Sequence, residues 1–290
     1  MHPAPSVIIF SVLSGLGFGL LAYLGAGVVA PSGWAAFLWW GLGYGFAIAG
    51  LLAATAHLGN PKNALKAFSQ WRTSWLSREA WASMATLFLL APVALSDWLG
   101  LGWPRGLGHF GAVLALFTVF TTAMIYTQIK AVPRWNHWLG PVMFLGFALA
   151  GGAMLAGQGW AVYLLAALGL VLLALWQIGD GEFTKRAQNM GTATGLGTIG
   201  EVTVFEQPHT GGNYLMREMI FVVGRKHAQK LRFIALVLVS ILPAVMLAVL
   251  PLALWAFALA TLCHLIGALV ARWLFFAEAE HVVGLYYGAR

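Results

Sequence analysis

Charge is what this sequence has least of. Only 9% of its 290 residues are Asp, Glu, Lys or Arg, against about 25% in soluble globular chains. Nine acidic and 16 basic residues cannot clothe a soluble fold of this length, and apolar residues fill 60% of the chain. Cysteine is nearly absent too. Cys263 alone excludes an internal disulfide and any four-cysteine zinc or iron–sulfur site within the chain. No dense basic face can be built from so few cations, which excludes a nucleic-acid-binding surface. Carboxylates are missing from the middles of the apolar runs, where a pump or ion-coupled transporter would carry them.

What is present is hydrocarbon. The mean hydropathy is +0.82, and eight apolar runs reach the roughly 20 residues that cross a bilayer as a helix. They are Ser6–Ala30, Trp34–Ala56, Ala80–Trp98, Leu107–Ile129, Leu139–Gly157, Trp160–Ile178, Phe233–Leu250 and Leu252–Phe276. Pro251 separates the last two. The runs are too long and too continuous for barrel strands. No Lys or Arg precedes the first, so it is expected to stay as a helix rather than be cleaved as a signal. The expected fold is all-α: eight transmembrane helices in a single membrane-anchor domain over residues 1–290. The endings His57-Leu-Gly-Asn60 and Gln177-Ile-Gly-Asp180 hint at two related four-helix halves.

Eight spans put both termini on one side with loops 2–3, 4–5 and 6–7. Fifteen of the basic residues, Arg272 among them, then fall on that side, and Arg105 alone on the other. The positive-inside bias makes the basic side cytoplasmic, and soluble partners are expected there. Loop 6–7, residues 179–230, is long enough to suggest a docking or covering role, with a plain linker as the alternative. Its centre, Gly191-Thr-Ala-Thr-Gly-Leu-Gly-Thr-Ile-Gly200, is no dinucleotide fingerprint, because no βαβ unit surrounds it. The alternation of Glu201–Phe205 suggests a short strand. Tyr214–Lys230 reads as an interfacial helix.

Few polar groups remain for chemistry. His264 lies mid-run without a second histidine at its depth, so a bis-histidine haem is not expected. It reads as a bundle histidine bonded to a Thr or Ser. Gly15/Gly17/Gly19 and Gly41/Gly43/Gly45 read as close helix contacts. His57 and Glu79 flank loop 2–3. Such a pair could bind and protonate a quinone, which takes up two protons on reduction. It could equally serve two helix ends, His57 at a C-terminus and Glu79 at an N-terminus. Trp71, Trp75 and Trp81 fit an interfacial belt. Arg72 and Arg78 could meet lipid headgroups, a quinone carbonyl or a partner.

His57-Leu-Gly-x-Pro61, Trp71-Arg-x-Ser-Trp-Leu-Ser-Arg-Glu79 and Pro208-His-Thr-Gly-Gly-Asn-Tyr-Leu-Met-Arg-Glu-Met219 resemble the dimethyl sulfoxide reductase anchor-subunit (DmsC) family. Within it the chain is most similar to the membrane subunits of cytoplasmic sulfite dehydrogenases. The resemblance extends over essentially the whole chain. It implies a three-subunit oxidoreductase of a bacterial inner membrane, with both termini of this chain cytoplasmic. A molybdopterin subunit would act on substrate, and a subunit with four [4Fe–4S] clusters would conduct electrons. This subunit would hold no haem or cluster and would exchange electrons with ubiquinone or menaquinone. The resemblance places the quinone site on His57 and Glu79, with Arg72, Trp71 and Arg78 behind them. Partner docking falls to loop 6–7, with His209, Tyr214, Arg217 and Glu218 as contacts. A quinol-oxidising reductase anchor is the alternative, and a transporter a more distant one.

Overall fold

The computed structural model describes residues 1–287 except Gly59, Gln207, Pro208 and residues 221–225, with only the backbone at Pro61. Among the described residues it is helical throughout, without strands. The long helices are α1 Pro5–Gly25, α2 Gly33–Thr55, α3 Trp75–Leu99, α4 Gly106–Thr127, α5 Leu139–Leu155 and α6 Ala161–Lys185. Two short helices, α7 Met190–Thr194 and α8 Tyr214–Met219, lie in loop 6–7. They are followed by α9 Ala228–Val249 and α10 Leu254–Ala277. Seven of the long helices are long and apolar enough to span a membrane, and α5 is a shorter apolar helix. Each coincides with one of the eight runs. A 3₁₀ segment, Pro61–Phe68, fills loop 2–3, and another, Val282–Tyr287, follows α10.

Buried interfaces here cannot draw on water exclusion within lipid, so close backbone packing does the work. Helix α1 is the hub, packed on α2, α4, α5 and α10. Gly17 meets the backbone of Gly43 and Ala47 on α2, and Gly19 meets Ala148 and Gly152 on α5. Gly15, Gly41 and Gly45 face open space, so only the inner part of each triplet makes the expected contact. Helices α1–α4 form one group and α5, α6, α9 and α10 another, joined through α1–α5, α4–α5 and α1–α10.

Hydrogen bonds sort the two edges. At one edge His2 N–H reaches Glu218 O at 2.7 Å, and Val282 N–H reaches Ala131 O at 3.0 Å. At the other, Asp97 accepts from Arg105 at 2.9 Å and from Trp40 Nε1 at 3.1 Å. With Met1 N bonded to Ala279 O at 2.6 Å and the Ser6 hydroxyl 3.2 Å from His57, the start of the chain, loops 2–3, 4–5 and 6–7 and the 3₁₀ segment after α10 share the basic edge.

The structure corrects five expectations. Arg272 is not at the basic surface; it is 2% exposed, inside the bundle. The 201–205 segment is irregular, with Phe205 fully exposed; among the described residues there is no neighbouring edge for it to pair with. Residues 179–185 continue α6, so the irregular part of loop 6–7 begins at Arg186. The interfacial helix is six residues, Tyr214–Met219; residues 221–225 of that stretch lie outside the described residues. His264, finally, is bonded not to a hydroxyl but to the Val239 carbonyl, beside a π turn at Val237–Ile241.

Candidate functional site

Loop 2–3 is folded back onto the start of α3. Asn60 begins the 3₁₀ segment by accepting from Lys62 N–H at 3.2 Å. Arg78, on the first turn of α3, then holds the loop: its Nε donates to Trp71 O at 3.1 Å and its Nη2 to Arg72 O at 2.7 Å. Its guanidinium also lies 4.2 Å from the Trp75 ring centroid. Trp81 Nε1 donates to Phe68 O at 3.0 Å. Two side chains of α3 thereby satisfy carbonyls that a loop at a membrane edge would otherwise expose. Arg72 remains exposed, with its guanidinium 5.5 Å from the Trp71 ring.

Below this clasp an open groove of about 560 Å³ runs between α3 and α4, lined by Trp71, Arg78, Trp81, Ala82, Ala85, Leu114 and Phe117. Its walls are almost entirely carbon, and Trp81 and Phe117 are exposed on its flanks. It opens where lipid would be. The size and lining suit a flat apolar ring with a hydrocarbon tail.

Glu79 occupies the inner face of the same helix. It is 4% exposed and accepts a hydrogen bond from the Thr122 hydroxyl of α4. The helical period explains the separation. Residues 78, 81, 82 and 85 follow the groove, whereas Glu79, Ser83 and Thr86 face α4. Thr86 and Thr118 hydroxyls meet at 3.2 Å one level deeper, so a short polar track continues into the α3–α4 interface. Glu79 is one turn from the groove wall at Ala82 without lining the groove. Tyr126, one turn beyond Thr122, stacks on Phe144 at 5.8 Å. Arg272 of α10 packs on that same ring, its guanidinium carbon 3.5 Å from the centroid. Arg272 Nε and Nη1 are buried without a hydrogen-bond partner among the described residues. Cation–π contact supplies about 2 kcal/mol when desolvated, less than the several kcal/mol that burying the charge costs.

His57 is elsewhere. It follows the end of α2, exposed, with Nδ1 3.2 Å from the Ser6 hydroxyl of α1. No hydrogen bond among the described residues joins it to Glu79, Arg72 or Arg78. The structure thus gathers Trp71, Arg72 and Arg78 into one clasp, places Glu79 behind it, and leaves His57 at the aqueous surface.

The sequence that builds this bundle matches one family of known proteins over nearly its whole length. The family profile "DMSO reductase anchor subunit (DmsC)" matches residues 6–288. The chain belongs to that family. A relative from Allochromatium vinosum, named as a subunit of sulfite dehydrogenase, is 30% identical over 99% of each chain. No solved structure gives a significant match.

The basic edge of this DmsC-family anchor subunit is tied together more tightly than its sequence suggests. Arg134 binds Asp180 at 2.9 Å and Glu278 at 2.7 Å. Arg232 binds Asp180 at 2.5 Å and Glu278 at 2.7 Å. This closed square links loop 4–5, α6, α9 and the end of α10 around a cavity of about 190 Å³. Its acids and bases lie up to 144 residues apart, so no local pattern announces it. Loop 6–7 is held by the 3₁₀ segment after α10. Tyr286 donates to Ala193 O at 2.9 Å, and Asn213 donates to the Tyr287 hydroxyl at 3.0 Å. Of the four docking candidates, His209 stacks on Tyr287 at 6.3 Å. Tyr214 and Arg217 are exposed, and Glu218 is half-buried.

Proposed function

We propose that this chain is the quinone-reducing anchor of a three-subunit molybdopterin oxidoreductase, specifically of the sulfite dehydrogenase type. The proposal sets it in a bacterial cytoplasmic membrane with the basic edge and both termini inward. A buried carboxylate, Glu79, one helical turn from a lipid-open apolar groove is the observation that carries the reading. Trp81, Leu114 and Phe117 would hold the ring and tail of ubiquinone or menaquinone, with Trp71 and Arg78 closing the aqueous end. When bound, a quinone supplies an acceptor for two electrons and two protons. Glu79 would hold a proton for it, oriented by Thr122. Arg72 stays a candidate at the clasp, and His57 would exchange protons at the surface.

The reading further places an iron–sulfur subunit with four [4Fe–4S] clusters on loops 2–3 and 6–7, with the molybdopterin subunit beyond it. His209, Tyr214, Arg217 and Glu218 would be its contacts. Sulfite oxidised in the molybdopterin subunit would send its electrons through the clusters toward the groove. The name of the Allochromatium relative and the concentration of loops on one edge support this arrangement.

A photoreactive quinone added to the assembled complex tests it. Labelling of the Trp81 and Leu114–Phe117 segments, competed away by plain quinone, is expected. Saturable labelling confined to other helices would refute the groove assignment.

A further inference from the structure

Arg272 of α10 is 2% exposed, and its Nε and Nη1 have no hydrogen-bond partner among the described residues. Phe144 and Phe147 of α5 cover the guanidinium carbon at 3.5 and 4.9 Å. No ion pair among the described residues includes Arg272. The acid nearest to it along the chain, Glu278, is already held by Arg134 and Arg232.

Arg272 lines a void of about 20 Å³ where α1, α5 and α10 meet, together with Ser11, Gly15, Phe147, His264 and Leu265. No carboxylate is among its described lining residues. Roughly 10–15 Å³ hold one water, so the void takes a ligand of one heavy atom and excludes a ring, a phosphate or a sulfur oxyanion. The Ser11 hydroxyl reaches Ile8 O at 3.2 Å, long for an O–H···O bond, and can turn its proton toward a ligand. His264 is committed to Val239 O through Nδ1. Gly15 and Leu265 are half-buried, whereas Ser11, Phe147, His264 and Arg272 are buried. A Cβ on Gly15 would meet nothing within 4 Å, so the mouth of the void lies on that side.

We propose that this void binds one monatomic anion, a halide such as chloride, with Arg272 as its principal ligand and Ser11 as a second donor. Size and charge select it together. A water would satisfy the free N–H groups but leave the buried positive charge uncompensated, in a medium that penalises isolated charge. A halide accepts the same hydrogen bonds and neutralises the cation at close range, where low dielectric strengthens the attraction. The ion would fasten α10 to the hub helix α1. The site is separate from the groove on α3 and α4, and its test does not depend on quinone chemistry.

The test is thermal denaturation of the assembled complex in detergent, with sodium gluconate replaced stepwise by sodium chloride or bromide. Constant ionic strength keeps surface screening fixed. Above half-saturation the melting midpoint should rise by about 3 °C for each tenfold increase in halide. Arg272→Met should abolish that rise. Removing an unpaired buried charge relieves a desolvation cost, so this variant is expected to assemble. Should it not assemble, crystals of the unmodified complex grown in bromide decide, through an anomalous peak within hydrogen-bond distance of Arg272. A midpoint indifferent to halide in the unmodified complex overturns the proposal. So does a halide response that Arg272→Met leaves intact, or density at Arg272 without anomalous signal, which would mean a water only.

Discussion

His264 of α10 donates from Nδ1 to the carbonyl of Val239 on α9 at 2.8 Å, and that carbonyl is the one whose α-helical donor would be the N–H that Pro243 lacks. A proline placed inside a span thus finds its compensation on the neighbouring helix, as membrane bundles require. Replacing His264 by Leu should cost about 1–3 kcal/mol, because a buried carbonyl is left unsatisfied. In a Pro243→Ala background the helix can supply its own donor, and the same replacement should cost less. Thermal denaturation of the four proteins in detergent measures the difference. Equal costs in both backgrounds would contradict the pairing.

The ion-pair square gives a second prediction. Glu278 is buried between Arg134 and Arg232, and Asp180 is half-exposed. Glu278→Gln leaves two arginines short of a buried partner and should destabilise by about 3–5 kcal/mol. Asp180→Asn, closer to water, should cost about 1 kcal/mol or less. The order of the two midpoints is the readout.

Close packing of α1 gives a third. Gly19→Ala forces a methyl into the backbone of Ala148 and should cost about 1–3 kcal/mol by overpacking. Gly41→Ala faces open space and should be neutral, or stabilising by up to about 1 kcal/mol through helix propensity. Equal melting points for the two variants would show that α1 and α5 do not touch there.

Loop 6–7 should loosen when its tyrosine tether is cut. Tyr286→Phe removes the bond to Ala193 O, worth about 0.5–1.5 kcal/mol. Faster amide hydrogen exchange over residues 189–194 is the expected sign, with the transmembrane helices unchanged.

The bundle is largely legible in the sequence, because hydrocarbon thickness fixes helix length and every span announces itself by its apolar run. Pro251 is enough to divide the last two helices. The site is legible only in part. Glu79 stands out as a rare acid beside the first turn of α3, but its partner does not. Thr118, Thr122 and Tyr126 recur every four residues along α4, a polar stripe matching Glu79, Ser83 and Thr86 on α3, and that spacing is the available signal. Arg272 sits inside the apolar run Leu269–Phe276, and charge counting assigns it to the surface because counting ignores depth. The separation of His57 from Glu79 depends on where α2 meets α1, which no local pattern encodes.

The central claim is that Glu79 holds the proton for quinone. In the assembled complex, Glu79→Gln should lower substrate-driven quinone reduction by about 100-fold or more and leave reduction of an artificial acceptor at the iron–sulfur subunit unchanged. His57→Ala, assayed beside it, should lower quinone reduction while sparing the artificial acceptor. Full quinone turnover in Glu79→Gln would contradict the account.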